Sequence, residues 1–344
     1  MKSLMASSRL YIVIALLILV LAALSRFAFL SIIPNAISGD EMAYSFAARM
    51  LPEVVGNHDT PWTIASVFSF RYPKGDNQAE LPYAFAWISG HVTSDPVLAS
   101  RLIPAFLGVG LVVAIAFLSY ALFRRIDISI ASMLIAALNP WFIYQSRTGY
   151  ETVPATFFYT AAAAFFLQGS STGLLIGWIT AVFGFYSYIG TKVLFLPLTI
   201  IPMLRAFTDK KADAVFKKIS ALIFVLSIGF VLFFVSQILS GAHGVRMGQL
   251  FFPWSTDLGP LVDTLRKNTI ASPITGLFVN KLTVYITIVI MKLYKQVSLD
   301  FLFVTGDEFF SIWKHGLFYP VDALFILVGI VGIWKSYRKM AFAI

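Results

Sequence analysis

Cysteine is absent from the chain. That excludes disulfides, thiolate metal ligands and thiol nucleophiles, and leaves the redox compartment open. Charge is scarce too: Asp, Glu, Lys and Arg make up 12% of residues, about half the share of soluble domains. The histidines, His58, His91, His243 and His315, show no metal-ligand spacing. No glycine-rich nucleotide fingerprint and no P-loop occurs, so a sugar-nucleotide or ATP site of the usual sort is unsupported. Internal repeats, low-complexity tracts and terminal lipidation motifs are also lacking.

What remains is apolar. The 344 residues are 58% hydrophobic, with 33 Phe and 14 Tyr. Apolar runs recur between short basic loops, which predicts an all-α, polytopic membrane helix bundle. Aromatic rings suit its interfaces and lipid-facing surfaces. The net charge of +9 is explained by basic loops on the cytoplasmic side, so nucleic acid is not an expected partner.

About eight transmembrane helices are expected, over residues 10–30, 99–123, 128–144, 152–167, 173–188, 193–204, 219–239 and 321–334. Lys2 and Arg9 place the N-terminus in the cytoplasm, and the first run reads as an uncleaved span rather than a signal peptide. Arg205, Lys210, Lys211, Lys217 and Lys218 then fall in a cytoplasmic loop, as do Lys335, Arg338 and Lys339. Two long outer segments result, 31–98 and 240–319. Residues 81–91 are expected as an interfacial helix. Residues 277–293 are expected as a surface helix, because Lys281, Lys292 and Lys295 recur on one helical face. The whole chain, 1–344, is expected as one multi-pass domain of the plasma or inner membrane. It stops soon after its last span, as a short or truncated family member would.

The candidate chemistry begins at Gly39-Asp40-Glu41, just after the first span. A carboxylate there could serve as a general base, or could simply favour a helix start through the helix dipole. Arg147 and Glu151 are spaced for a local ion pair, and the topology also puts both on the face of Asp40. Lys192 lies at an outward turn, where a lysine either anchors at the interface or binds a lipid phosphate. Arg246, Lys314 and His315 are weaker candidates of the same kind. A divalent cation held through the oxygens of Asp40 and Glu41 is compatible with the sequence but not required, and no other cofactor is expected.

The order of short motifs resembles the integral-membrane GT-C glycosyltransferases. The nearest branch looks like the protein O-mannosyltransferase-like and aminoarabinose-transferase-like enzymes. The matching features are Gly39-Asp40-Glu41, Glu80-Leu81-Pro82-Tyr83, Ala99-Ser-Arg101-Leu-Ile-Pro104, Asn139-Pro140, Ser146-Arg147 with Glu151, Gly190-Thr-Lys192, and Phe303-Val-Thr-Gly306-Asp307 before Lys314-His315. The resemblance implies a polyprenyl-phosphate sugar donor, a glycan, lipid or protein acceptor, and inversion at the anomeric carbon. It makes Asp40 the presumed base, with Glu41 and Glu151 as further acidic residues. It puts Lys192 near the lipid phosphate, with Arg147 and His315 as further cations. One departure stands out: Glu80-Leu81-Pro82 occupies the place of the family's basic-Pro-Pro motif, so Lys74 or Arg71 would have to substitute. A transporter or flippase, and a non-catalytic relative, are the alternative readings. Against the transporter, the candidate charges gather at one membrane face and no inverted repeat is visible.

Overall fold

The computed structural model describes residues 2–55, 79–208, 213–237, 258–269, 274–307, 311 and 315–341. Arg71, Lys74, Arg246 and Lys314 lie outside the described residues. Every regular element among those described is helical. The chain divides into two compact units, Met1–His243 and Gly244–Ile344. The first holds α1 (Lys2–Phe27), α2 (Gly39–Val55), α3 (Glu80–Gly90), α4 (Pro96–Phe123), α5 (Ile126–Leu138), α6 (Pro140–Ser146), α7 (Thr152–Gln168) and α8 (Ser171–Ser187). A 3-10 turn (Ile189–Leu194) then leads through α9 (Phe195–Thr199) and α10 (Ile201–Thr208) to α11 (Ala214–Gln237). The second holds α12 (Gly259–Lys267), α13 (Thr275–Phe278), α14 (Lys281–Val297), α15 (Leu299–Phe303) and α16 (Asp322–Ala341).

Five helical stretches are long and apolar enough to cross a bilayer: Arg9–Phe27, Pro96–Phe123, Ile189–Thr208, Ala214–Ser236 and Lys281–Phe303. The pair α5–α6, bent by 59°, makes a sixth if counted as one span. All eight expected spans fall on helices. Three expected spans fall short by length: α7 and α8 have 17 residues each, and the apolar part of α16 runs only over Asp322–Gly332, under the ~20 of a full crossing. The run expected as a surface helix becomes α14–α15, which also has the length and composition of a span. Lipid-facing stripes are visible where apolar side chains seven residues apart stay uncovered. Leu17 and Leu24 of α1 are 64% and 61% exposed, and Val225 and Leu232 of α11 are 64% and 63%.

Inside the first unit, small residues let helices approach closely, as membrane packing favours. Ala22 of α1, Ala116 of α4 and Ala136 and Ala137 of α5 form one buried cluster with Ile18, Val112 and Met133. Helix starts are set locally. Asp95 accepts from the Val97 N–H at 2.9 Å just before Pro96 opens α4. Asn139 accepts from the Phe142 N–H at 2.8 Å just before Pro140 opens α6.

That second start is also a break. Pro140 has no N–H, so it cannot satisfy the carbonyl four residues earlier. In a membrane interior such carbonyls need another donor. Arg26, fully buried near the end of α1, supplies it. Its Nη2 donates to Ala136 O at 3.4 Å and its Nη1 to Ala137 O at 3.3 Å. Gly108 of α4 makes room for this arrangement. A Cβ there would stand 2.1 Å from Ser146 Oγ and 3.2 Å from Arg26 Nε.

Candidate functional site

α1 stops, α2 to α4 begin, α6 gives way to α7, and the 3-10 turn forms at linked places in the first unit. Hydrogen bonds and ion pairs between charged side chains tie these places together. α2 carries Asp40 and Glu41 in its first turn. Neighbouring helix positions point apart, so the two carboxylates meet different surroundings. Asp40 is exposed, whereas Glu41 is 1% exposed. Glu41 forms a salt bridge with the fully buried Arg101 of α4. The same Oε1 accepts the Gly149 N–H at 3.1 Å. Arg101 also donates to Leu30 O at 2.9 Å and to Ala36 O at 3.4 Å.

Tyr44 lies three residues beyond Glu41, on the same helix face. Its hydroxyl donates to Glu151 Oε2 at 2.6 Å, and the Ala79 N–H donates to the same oxygen at 3.2 Å. Tyr44 packs edge-on against Tyr83 of α3, ring centroids 5.0 Å apart. Glu80, at the start of α3, receives both bonds from Lys192 Nζ, at 3.0 and 3.2 Å. Both side chains are buried. The ammonium also faces the rings of Phe185 and Phe234, each 4.7 Å from Nζ. Glu151 is close enough to add a second negative charge to the field at Lys192.

Arg147 turns towards α1. It donates to Ser25 O at 2.8 Å, Ala28 O at 2.7 Å and Ile33 O at 3.1 Å. Burial, and then the like charge of Arg101, lower this guanidinium from its ordinary value, but arginine remains a cation throughout the usual pH range. Tyr150 sits beside Ser38, Tyr144, Asp40 and Glu41, and burial is the main reason its phenol is raised above its ordinary value.

The residues singled out in the sequence therefore fall into groups. Glu41, Glu151, Lys192 and Arg147 are buried and held by specific partners, and Asp40 lies exposed in the same helical turn as Glu41. His315 belongs to the second unit. There its Nδ1 is 2.8 Å from Gly316 O and its ring meets Tyr319 at 5.5 Å. Nearby, the Phe318 N–H donates to Leu302 O at 2.9 Å, joining the segment after His315 to α15. Sequence reasoning gave no role to Arg101 and Tyr44, and did not pair Glu80 with Lys192. Arg101 could have been flagged as a charge inside an apolar span, since such charges are rare and normally partnered. Tyr44 carried no such signal. Among the described residues, no group of three His, Asp or Glu side chains gathers as a metal site would require.

Comparison with curated proteins gives no match. The sequence profile of the dolichyl-phosphate-mannose-protein mannosyltransferases matches residues 16–242, more than half of the chain and nearly the whole first unit. Every buried carboxylate and cation just described lies within that match. The chain belongs to the dolichyl-phosphate-mannose-protein mannosyltransferase family, and is thus a multi-pass membrane glycosyltransferase.

Proposed function

We propose that the chain transfers a sugar from a polyprenyl-phosphate donor to a hydroxyl or amine acceptor on the outer face of the membrane, with Asp40 as base. The family match supports the donor class. The observation that carries the base assignment is a contrast among four carboxylates. Glu41, Glu80 and Glu151 are buried, at 1%, 3% and 8% exposure. Asp40 is exposed at the helix start beside them.

In this scheme Asp40 takes the acceptor proton as the acceptor oxygen or nitrogen bonds to the anomeric carbon. The bond from that carbon to the phosphate oxygen breaks, and its electron pair leaves on the polyprenyl phosphate. The sugar inverts. The nearby carboxylates stabilise developing positive charge on the ring, and a cation stabilises the leaving phosphate. Lys192 is assigned to that phosphate, shared with Glu80. Lys74 and Arg71, outside the described residues, are assigned as supporting cations. Arg147 is not assigned to phosphate, because three of its contacts are already made to carbonyls. The acceptor is a glycan, a lipid or a protein.

The test is donor consumption by purified protein in lipid nanodiscs, with a panel of polyprenyl-phosphate sugars that includes mannose. Asp40→Asn should abolish consumption while thermal unfolding stays as in the wild type. An unchanged rate in that variant removes Asp40 from the mechanism.

A further inference from the structure

The link between α1 and α2 sets where Asp40 stands. It runs from the last turn of α1 to Gly39 and presents a row of backbone carbonyls. Some are satisfied locally: Leu24 O by the Ala28 N–H, Phe27 O by the Leu30 N–H, and Phe29 O by the Ile32 and Ile33 N–H groups. Five others receive arginine. Arg147 donates to Ser25 O, Ala28 O and Ile33 O, and Arg101 donates to Leu30 O and Ala36 O. Arg101 also holds Glu41, the residue after Asp40. Two guanidiniums from α4 and the 147–151 turn thus grip the end of α1 and the short link after it at five points, four of them in the link.

We infer that Arg101 and Arg147 are positioning residues, which act on the reaction by fixing the 28–36 link and through it Asp40. The inference rests on the assignment of Asp40 as base. The guanidinium suits this task because its N–H groups spread in a rigid planar fork and reach several acceptors at once. A lysine keeps the charge, but its three N–H donors radiate from a single nitrogen and cannot span acceptors spread along the link. The reading also separates two roles that Arg147 could have at such a place. A phosphate ligand would control donor affinity. A brace on the base controls turnover, because a misplacement of about 1 Å can lower the rate about a hundredfold.

The test uses the full chain and exploits its lack of cysteine. Ile37→Cys and Val92→Cys introduce two spin-label sites, at positions 42% and 78% exposed in the first unit. Pulsed dipolar spectroscopy then reads the position of the link against the α3–α4 connection. The wild-type background should give one narrow distance. Arg147→Lys, and separately Arg101→Lys, should broaden it. Turnover is read in the same variants without labels, with undecaprenyl-phosphate mannose as the probe. In Arg147→Lys, kcat should fall by about a hundredfold with the donor KM within about twofold of wild type.

A distance that stays narrow in both lysine variants, each shown to be folded by its melting transition, overturns the inference. So does a raised donor KM at unchanged kcat in Arg147→Lys. If the wild type consumes no polyprenyl-phosphate sugar yet the distance broadens, the proposed function falls and the brace stands.

Discussion

Glu41→Gln isolates the charge of a buried pair while keeping its shape. In the wild type Glu41 and Arg101 are 1% and 0% exposed, so neither is screened by solvent. Removing one partner of such a pair typically costs about 3–5 kcal/mol, because the other charge stays buried without its counter-ion. The amide oxygen of glutamine can still accept from Arg101 and from the Gly149 N–H, and a neutral hydrogen bond returns about 1 kcal/mol. Arg101 also keeps its bonds to Leu30 O and Ala36 O. The expected loss is therefore about 2–4 kcal/mol, read by equilibrium unfolding in mixed micelles. The pair is expected to be coupled, so Glu41→Gln with Arg101→Met should be less destabilised than the sum of the two single variants. A loss below about 0.5 kcal/mol, the level of an exposed pair, would refute the reasoning. It would mean that water reaches Arg101. Strict additivity would refute it as well.

Glu80→Gln leaves the Lys192 ammonium buried and should cost about 2–4 kcal/mol. The double variant Glu80→Leu with Lys192→Met should be more stable than either single one, and the reverse order in unfolding measurements counts against a buried pair. Tyr44→Phe removes the 2.6 Å bond to Glu151. A hydrogen bond to a charged group is worth about 1.5–3 kcal/mol, so a change under about 0.5 kcal/mol would contradict the contact. Gly90→Ala would place a Cβ 2.2 Å from the Ala48 carbonyl oxygen, against backbone that cannot swing aside. It should destabilise by about 1–3 kcal/mol, and an unshifted melting curve would show that α2 and α3 are further apart. The Tyr150 phenol should ionise above the ordinary value near 10, with burial as the main cause. A difference absorbance titration against Tyr150→Phe reads this, and ionisation at or below that value would contradict the burial.

The spans were legible because the bilayer fixes both length and composition. Eight apolar runs fall on helices, with boundaries a few residues from those read in the sequence. The break after 138 was not read: residues 128–144 were expected as one span, although Asn139-Pro140 carries the signal for it. Partner choice was not legible. Arg147 and Glu151 have ion-pair spacing, yet Arg147 turns to three carbonyls more than a hundred residues earlier in the chain. Glu80 looked like a lost phosphate cation, and its partner Lys192 lies 112 residues later. Local pattern specifies which face a side chain occupies. Which distant group meets it is set by how the helices are threaded together, and no short window of sequence contains that.

Arg26 also constrains how the chain can assemble. Its acceptors at Ala136 and Ala137 lie 110 and 111 residues downstream, so they do not exist when α1 first leaves the ribosome. Near the end of its helix, the guanidinium can wait in the headgroup layer. Within α1 it donates to Ala22 O at 3.2 Å and Ser25 Oγ at 3.1 Å, and the broken end of α5 adds the two further acceptors. The bonds that tie the first helix to the broken end of the fifth therefore form only after the helices between them have been made.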